Sequence, residues 1–216
     1  MTLGSLIVLN LEPPLRKGKF PMKKLLITGF DPFGGESINP AWEAVKRLPD
    51  TIGEYELTKM EIPTVFGAAS REVLDAAQDV QPDVILCIGQ AGGRKAITPE
   101  MVGINLRHAR IADNAGNQPQ DEPVAADGPA AYFATVPVRQ MTQAMENAGI
   151  AAAVSYSAGA FVCNDTLYAL LHHYAGTPVQ AGFVHVPFLP QQAKEGVPFM
   201  ALEDIVRGLT AMIEGM

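Results

Sequence analysis

The run VILCI at residues 84–88 sets five apolar side chains in succession between Asp83 and Gly89. A helix or strand with one wet face would break such a run with polar positions. Unbroken and this short, it reads as a β-strand covered on both faces, and such a strand needs helices above and below its sheet. The rest of the chain supplies them in alternation. KKLLITGF (23–30) reads as another buried strand, YELTKMEIP (55–63) alternates like a strand, and AAAVSYSA (151–158) and QAGFVHVPF (180–188) read as strands too. Between them the apolar spacing predicts helices over 41–48, 64–80, 139–149, 163–175 and 201–213. Asn39 is placed to cap the first of these, with Pro40 in its opening position. No repeat, low-complexity tract or linker divides the chain. The expected fold is one three-layer α/β domain over residues 22–216.

The opening MTLGSLIVLNLEPPLRKGKFP has a short apolar centre, but no basic residue ahead of it and no small-residue cleavage site behind it. That order counts against a signal peptide. Met22 stands directly before the first strand and could serve as a second start, so residues 1–21 are expected to be an appendage outside the fold. No apolar run approaches the roughly 18 residues that a bilayer span needs. A formal net charge of -7, with RKGK at 16–19 as the one basic cluster, argues against nucleic acid or an anionic membrane as partner. Two cysteines are too few for a disulfide framework and imply reduced thiols and a cytoplasmic location.

In open α/β sheets ligands sit outside the carboxyl ends of the strands. Here those ends read GFDPFGG, GQAGGRKAITPE, SAGAFVC and HVPFLP, each mixing turn residues with polar or aromatic ones. GFDPFGGESINP lacks the spacing of a phosphate-binding loop, and its two phenylalanines suit an apolar pocket wall. Cys87, inside an apolar strand, reads as core. Cys163 stands where a helix begins, and free N–H groups there would lower a thiol pKa, so it reads either as a small buried hydrophobe or as a nucleophile. A nucleophile needs a base and the base an orienting group. His172 and His173 fall near a helix C-terminus, and His108 has no evident role. His185 lies just before a strand's carboxyl end, which parallel order would bring beside the end of 151–158 and hence beside Cys163. Glu100, in AITPEMVGIN, stands out among the acids.

Together these segments resemble the pyroglutamyl peptidase I family of cysteine peptidases. The resemblance runs over 22–216 through TGFDPFGG, NPAWEAV, GQAGGR, ITPE, IADNAGNQP, GPAAYF, SYSAGAFVCN and HVPFLP. It implies an α/β/α sandwich around a mixed, mostly parallel, twisted sheet, assembled as a homo-oligomer, dimer or tetramer. It also implies cleavage after an N-terminal pyroglutamyl residue of peptides. Cys163 would be the nucleophile, His185 the general base and acid, Glu100 the group orienting the imidazole, and Arg110 a support for the oxyanion. The pyroglutamate pocket maps onto Phe30, Phe33, Gln90, Ile111, Phe161 and Val162, with Asn39 nearby. The family uses neither metal nor organic cofactor, in keeping with the lack of H-E-x-x-H or paired C-x-x-C spacing here. One departure stands out: the family commonly reads ITPERVAIN where this chain has Met101 and Gly103, which bears on how Glu100 is held.

Nucleoside phosphorylases and peptidyl-tRNA hydrolases share this architecture, and a chain with the same pocket could be a binder without chemistry. The scarcity of basic patches speaks against tRNA. Retention of Cys163, His185 and Glu100 together speaks against an inactive binder.

Overall fold

Three parallel strands form the centre of the molecule because their apolar runs leave no face for water. In the computed structural model, which describes residues 22–216, these are β1 (Lys23–Phe30), β4 (Val84–Gln90) and β8 (Gln180–Val186). The remaining strands are β2 (Thr51–Ile52), β3 (Tyr55–Ile62), β5 (Thr98–Pro99), β6 (Val102–Ile104) and β7 (Ala131–Phe133). The helices are α1 (Pro40–Val45), α2 (Ala68–Val80), α3 (Val138–Asn147), α4 (Val162–His173) and α5 (Leu202–Glu214). The main sheet has the order β2-β3-β1-β4-β8-β5, parallel at its centre with antiparallel edges at β2 and β5, and β6-β7 form a separate ribbon. The appendage expected at 1–21 lies outside the described residues. No helix among the described residues is long and apolar enough to cross a membrane.

Alternate residues of each central strand feed two cores. Leu25, Ile27, Leu86, Ile88, Val184 and Val186 pack beneath α1, α3 and α5. Leu26, Phe30, Ile85, Cys87, Ala181 and Phe183 pack beneath α2 and α4. The expected three layers, around a mixed and mostly parallel sheet, are therefore present. Asn39 caps α1 as its sequence suggests, accepting the Ala41 N–H at 3.1 Å, and Pro40 opens the helix. The helix is shorter than the periodicity predicts, ending at Val45 and giving way to turns before Pro49.

The strand expected at 151–158 does not form as a continuous element. Its main chain lies beside 97–101 in parallel. Ile97 N–H donates to Ala151, Ala153 N–H to Ile97, Ser155 N–H to Pro99, and Met101 N–H to Ser155. The bond missing from that ladder is the one an N–H at residue 99 would have made, and Pro99 has none. Two isolated bridges remain, at Ile97 with Ala152 and Glu100 with Ser155. The segment also lies antiparallel to β8 with β5 between them, so parallel strand order is not what relates Cys163 to His185.

Gly29 permits α1 to sit on the sheet. A Cβ there would fall 2.5 Å from Trp42 Cα and 2.6 Å from its nitrogen, both rigid helix backbone. Gly29→Ala should therefore cost about 1–3 kcal/mol of stability by overpacking. Urea denaturation checks this, and an unchanged midpoint would mean that α1 slides freely on β1.

Candidate active site

The site is built around Glu100, which follows β5 and has no accessible surface. Its Oε1 lies 2.7 Å from His185 Nδ1 and 2.7 Å from Arg94 Nη1. Arg94 also donates to the Thr98 hydroxyl and, at 3.2 Å, to the Ser157 carbonyl, so one guanidinium ties the 94–100 segment to the chain leading into α4. Burial pushes the Glu100 carboxyl up, the more so as Oε2 is buried with no partner among the described residues, but the hydrogen bond and charge of His185, with the bond from Arg94, more than offset this. The carboxyl ends below its ordinary range and is an anion near neutrality. Burial pushes the His185 pKa below its ordinary 6.5, with Arg94 adding to the fall and Glu100 opposing it. The imidazole is thus neutral at pH 7. Because a carboxylate only accepts, Nδ1 carries the proton and Nε2 is left with its lone pair free.

Cys163 is the second residue of α4, just inside the cap at Phe161. Its neighbours in sequence are anchored firmly. Asn164 accepts the Ile104 N–H and donates to the carbonyls of Ile104 and Leu106, each at 2.9 Å. The fully buried Asp165 takes Arg107 Nε at 2.6 Å and the Gly67 N–H at 2.8 Å. With Asn164 and Asp165 both pinned, the helix start has little freedom to rotate the thiol away. The sulfur rests over Gly89, where an added Cβ would meet Sγ at 3.1 Å and the Phe183 ring at 2.7 Å. Gly89 pairs with His185 across β4 and β8, and paired residues of adjacent strands project to the same face of a sheet. The lack of a side chain at residue 89 thereby opens the place where thiol and imidazole share one face.

The sequence suggests a thiol with a lowered pKa, and the structure reverses that expectation. Cys163 is half-buried, yet the packing around its sulfur pushes the thiol up to about 12, the Glu100 carboxylate adds to the rise, and Arg94 and the cysteine's own N–H act in the opposite direction. Burial wins. The main-chain N–H groups of Val162, Cys163 and Asn164 nonetheless find no acceptor among the described residues, so the helix start presents donors to whatever anion forms beside the sulfur.

Around this centre the rings form two groups. Phe33 and Phe66 both pack on Phe161, at 6.1 and 5.2 Å between centroids, and Phe30 packs on Phe183, which lies 4.9 Å from the His185 ring. Val162 is buried beside them. Gln90 ends β4 and accepts from Gln192 at 2.9 Å. Asn39 is buried and faces its own loop: besides capping α1 it donates to the Asp31 carbonyl at 2.9 Å, which sets the course of the chain into Phe33. Arg110 and Ile111 are exposed on the 105–130 segment, and the Arg110 side chain makes no ion pair among the described residues. Arg94, Phe66, Phe183 and Gln192 belong to this cluster, and sequence reading does not single them out. GGR at 92–94 is the signal available for Arg94, a cation beside the glycine turn that follows β4.

A family model described as pyroglutamyl peptidase matches residues 23–216. The pyrrolidone-carboxylate peptidase of Levilactobacillus brevis is 53% identical over 197 residues, 89% of this chain and 97% of that protein. That of Enterococcus faecalis is 50% identical over 195 residues, 88% of this chain and 92% of its own. The crystal structure of Bacillus amyloliquefaciens pyroglutamyl peptidase I superposes with a TM-score of 0.87 at 44% identity, over 89% of this chain and 96% of that one. The pyrrolidone carboxyl peptidase of Thermococcus litoralis superposes at 0.85 with 37% identity, over 89% and 92%.

The raised thiol pKa can be tested without substrate. Alkylation of Cys163 by iodoacetamide should accelerate about tenfold per pH unit from 7 to 9, because only the thiolate reacts. Cys87, fully buried and also raised to about 12, should stay unlabelled in the native protein. A rate that levels off below pH 8 would show that the thiolate exists at rest.

Proposed function

The chain belongs to the pyroglutamyl peptidase family, and from that premise we propose that it hydrolyses the amide bond after an N-terminal pyroglutamyl residue through a thioester on Cys163. The observation that carries the reading is the Glu100–His185 bond, on the sheet face where Cys163 rests over Gly89. The bond holds the proton on Nδ1 and leaves Nε2 free, burial keeps the imidazole neutral, and a protonated thiol needs such a base.

The steps follow from the protonation states. His185 Nε2 takes the Cys163 proton as Sγ attacks the pyroglutamyl carbonyl carbon, so the thiolate arises with the bond it makes and does not wait as a resting ion. Charge developing on the carbonyl oxygen is met by the unpaired N–H groups at the start of α4. Arg110, free of any competing ion pair among the described residues, is the further partner that the family resemblance names. His185, now an imidazolium stabilised by the Glu100 carboxylate, returns the proton to the leaving amine as the C–N bond breaks. Water then loses a proton to His185 as it attacks the thioester carbon; the C–S bond breaks, His185 returns that proton to the sulfur, and pyroglutamate and the free thiol are released. No step calls on a metal or organic cofactor.

The ring of pyroglutamate is a neutral lactam. It needs apolar walls and an amide partner, not a countercharge, and Phe30, Phe33, Phe161 and Val162 with Gln90 meet that need. Ile111, exposed on the 105–130 segment, is assigned to the ring by the family resemblance. A cytoplasmic location and assembly into a dimer or tetramer belong to the same reading. The exposed rings of Phe133, Tyr156 and Phe199 support assembly, and light scattering on the purified protein tests it.

Release of a fluorogenic amine from its pyroglutamyl derivative is the direct assay, with Cys163→Ala expected to abolish turnover. The prolyl derivative has the same ring size but lacks the lactam carbonyl and carries a charged amine. It should be cut about 10⁴-fold more slowly, since the pocket's own polar group would be left unpaired. Comparable kcat/KM for the two would mean the pocket is misassigned.

The pH profile is a second check. His185 must be neutral to accept the thiol proton, and its pKa lies below 6.5 in the folded protein. Activity should hold from neutrality down through pH 6.5 and fall only as the pH passes that lowered value. An acid limb of kcat/KM centred above 6.5 would contradict the assigned role.

A further inference from the structure

The two ends of a side-chain amide look alike until their partners are counted. Gln192, buried in the loop after β8, has partners that leave no choice. One end accepts the Leu189 N–H at 3.1 Å and must be the oxygen. The other lies 3.3 Å from the Ile38 carbonyl and 3.4 Å from a Glu36 carboxylate oxygen, both acceptors only, and must be the NH₂. That same NH₂ faces Gln90 at 2.9 Å. The Gln90 atom receiving it is therefore its oxygen, and the Gln90 NH₂ is turned away with no acceptor among the described residues.

We infer that Gln192 is a positioning residue that sets the polarity of the Gln90 amide, so that the pocket offers an N–H donor to the lactam carbonyl of the substrate. The inference rests on the reading that Gln90 binds the pyroglutamyl ring. Without Gln192 the Gln90 amide is free to rotate, and half of its orientations would set an oxygen against the substrate's oxygen. With Gln192 it presents a single face, recognising a carbonyl and rejecting a ring that offers only N–H groups. Sequence-distant residues thereby share the selection: Ile38 and Glu36 before α1 and Leu189 after β8 fix Gln192, and Gln192 fixes Gln90.

The test compares wild type with Gln192→Met, Gln192→Glu, Gln90→Ala and the Gln90→Ala/Gln192→Met double variant on the fluorogenic pyroglutamyl amide. Gln192→Met should raise KM about fivefold to tenfold with kcat little changed, as expected for one hydrogen bond lost from substrate binding. Gln192→Glu, though closer in shape, should be the worse variant, because a carboxylate only accepts and would draw the Gln90 NH₂ away from the substrate. In the double variant, loss of Gln192 should add nothing to loss of Gln90. Unchanged iodoacetamide labelling of Cys163 shows that each variant keeps its catalytic centre. A Gln192→Glu variant indistinguishable from wild type, or full additivity in the double variant, would overturn the inference and leave Gln192 a packing residue. A Gln90→Ala variant as active as wild type would instead withdraw the lactam pocket itself, and this inference with it.

Discussion

A carboxylate with no accessible surface stays charged only where hydrogen bonds and a cation replace the water it has lost. Glu100 is in that position, and the site meets its demand through one oxygen, Oε2 being buried with no partner among the described residues. Its Oε1 collects both the Arg94 guanidinium and the His185 ring. Arg94 reaches onward to the Ser157 carbonyl, and that bond holds the stretch of chain that leads to Phe161 at the cap of α4 and so to Cys163. A buried ion pair of this kind contributes little net stability, because desolvation consumes most of the attraction. Its effect is positional: it holds the imidazole in one tautomer and joins three segments distant in sequence.

The thiol shows which of two opposing effects wins. A helix start lowers a cysteine pKa when the sulfur is exposed enough for its thiolate to be solvated. Here the packing around Sγ, together with the charge of Glu100 nearby, outweighs the helix. The same burial lowers the His185 pKa, so both partners rest uncharged. A resting ion pair would be ready for attack but also open to adventitious alkylation and oxidation. In the proposed reaction an uncharged pair would defer charge separation until a substrate carbonyl is in place to accept the electron pair.

Much of this is legible in the sequence, and what is not has a common cause. Apolar runs, unbroken in β4 and nearly so in β1 and β8, mark the central strands, and Asn39 with Pro40 marks the start of α1, because these signals are local. The segment at 151–158 has the composition of a strand but the wrong partner: Pro99, distant in sequence, lacks the donor that would have made it continuous. Cys163, His185 and Glu100 can be picked out by residue type and motif. Arg94 and Gln192 cannot, since their importance lies in the atoms they meet across the fold. The thiol pKa departs from its sequence expectation for the same reason, as helix position is local and burial is not.

The two departures from the family pattern illustrate how an extended segment separates such effects. Neighbouring residues of an extended chain project to opposite faces. Glu100 points to the His185 side, so Met101 points away, and its side chain packs against the core beneath α3 and α5. The cation that holds Glu100 is Arg94. Gly103 lies further along, in β6, where an added Cβ would come within 3.1 Å of Leu167 and 3.2 Å of the Tyr168 backbone. Its smallness lets β6 approach α4 closely enough for Asn164 to bridge Ile104 and Leu106. Neither departure falls on Glu100, His185 or Cys163 themselves. Met101 fills the core behind the carboxylate, while Gly103 acts on the contact that fixes where α4 begins, and through it on where the thiol stands.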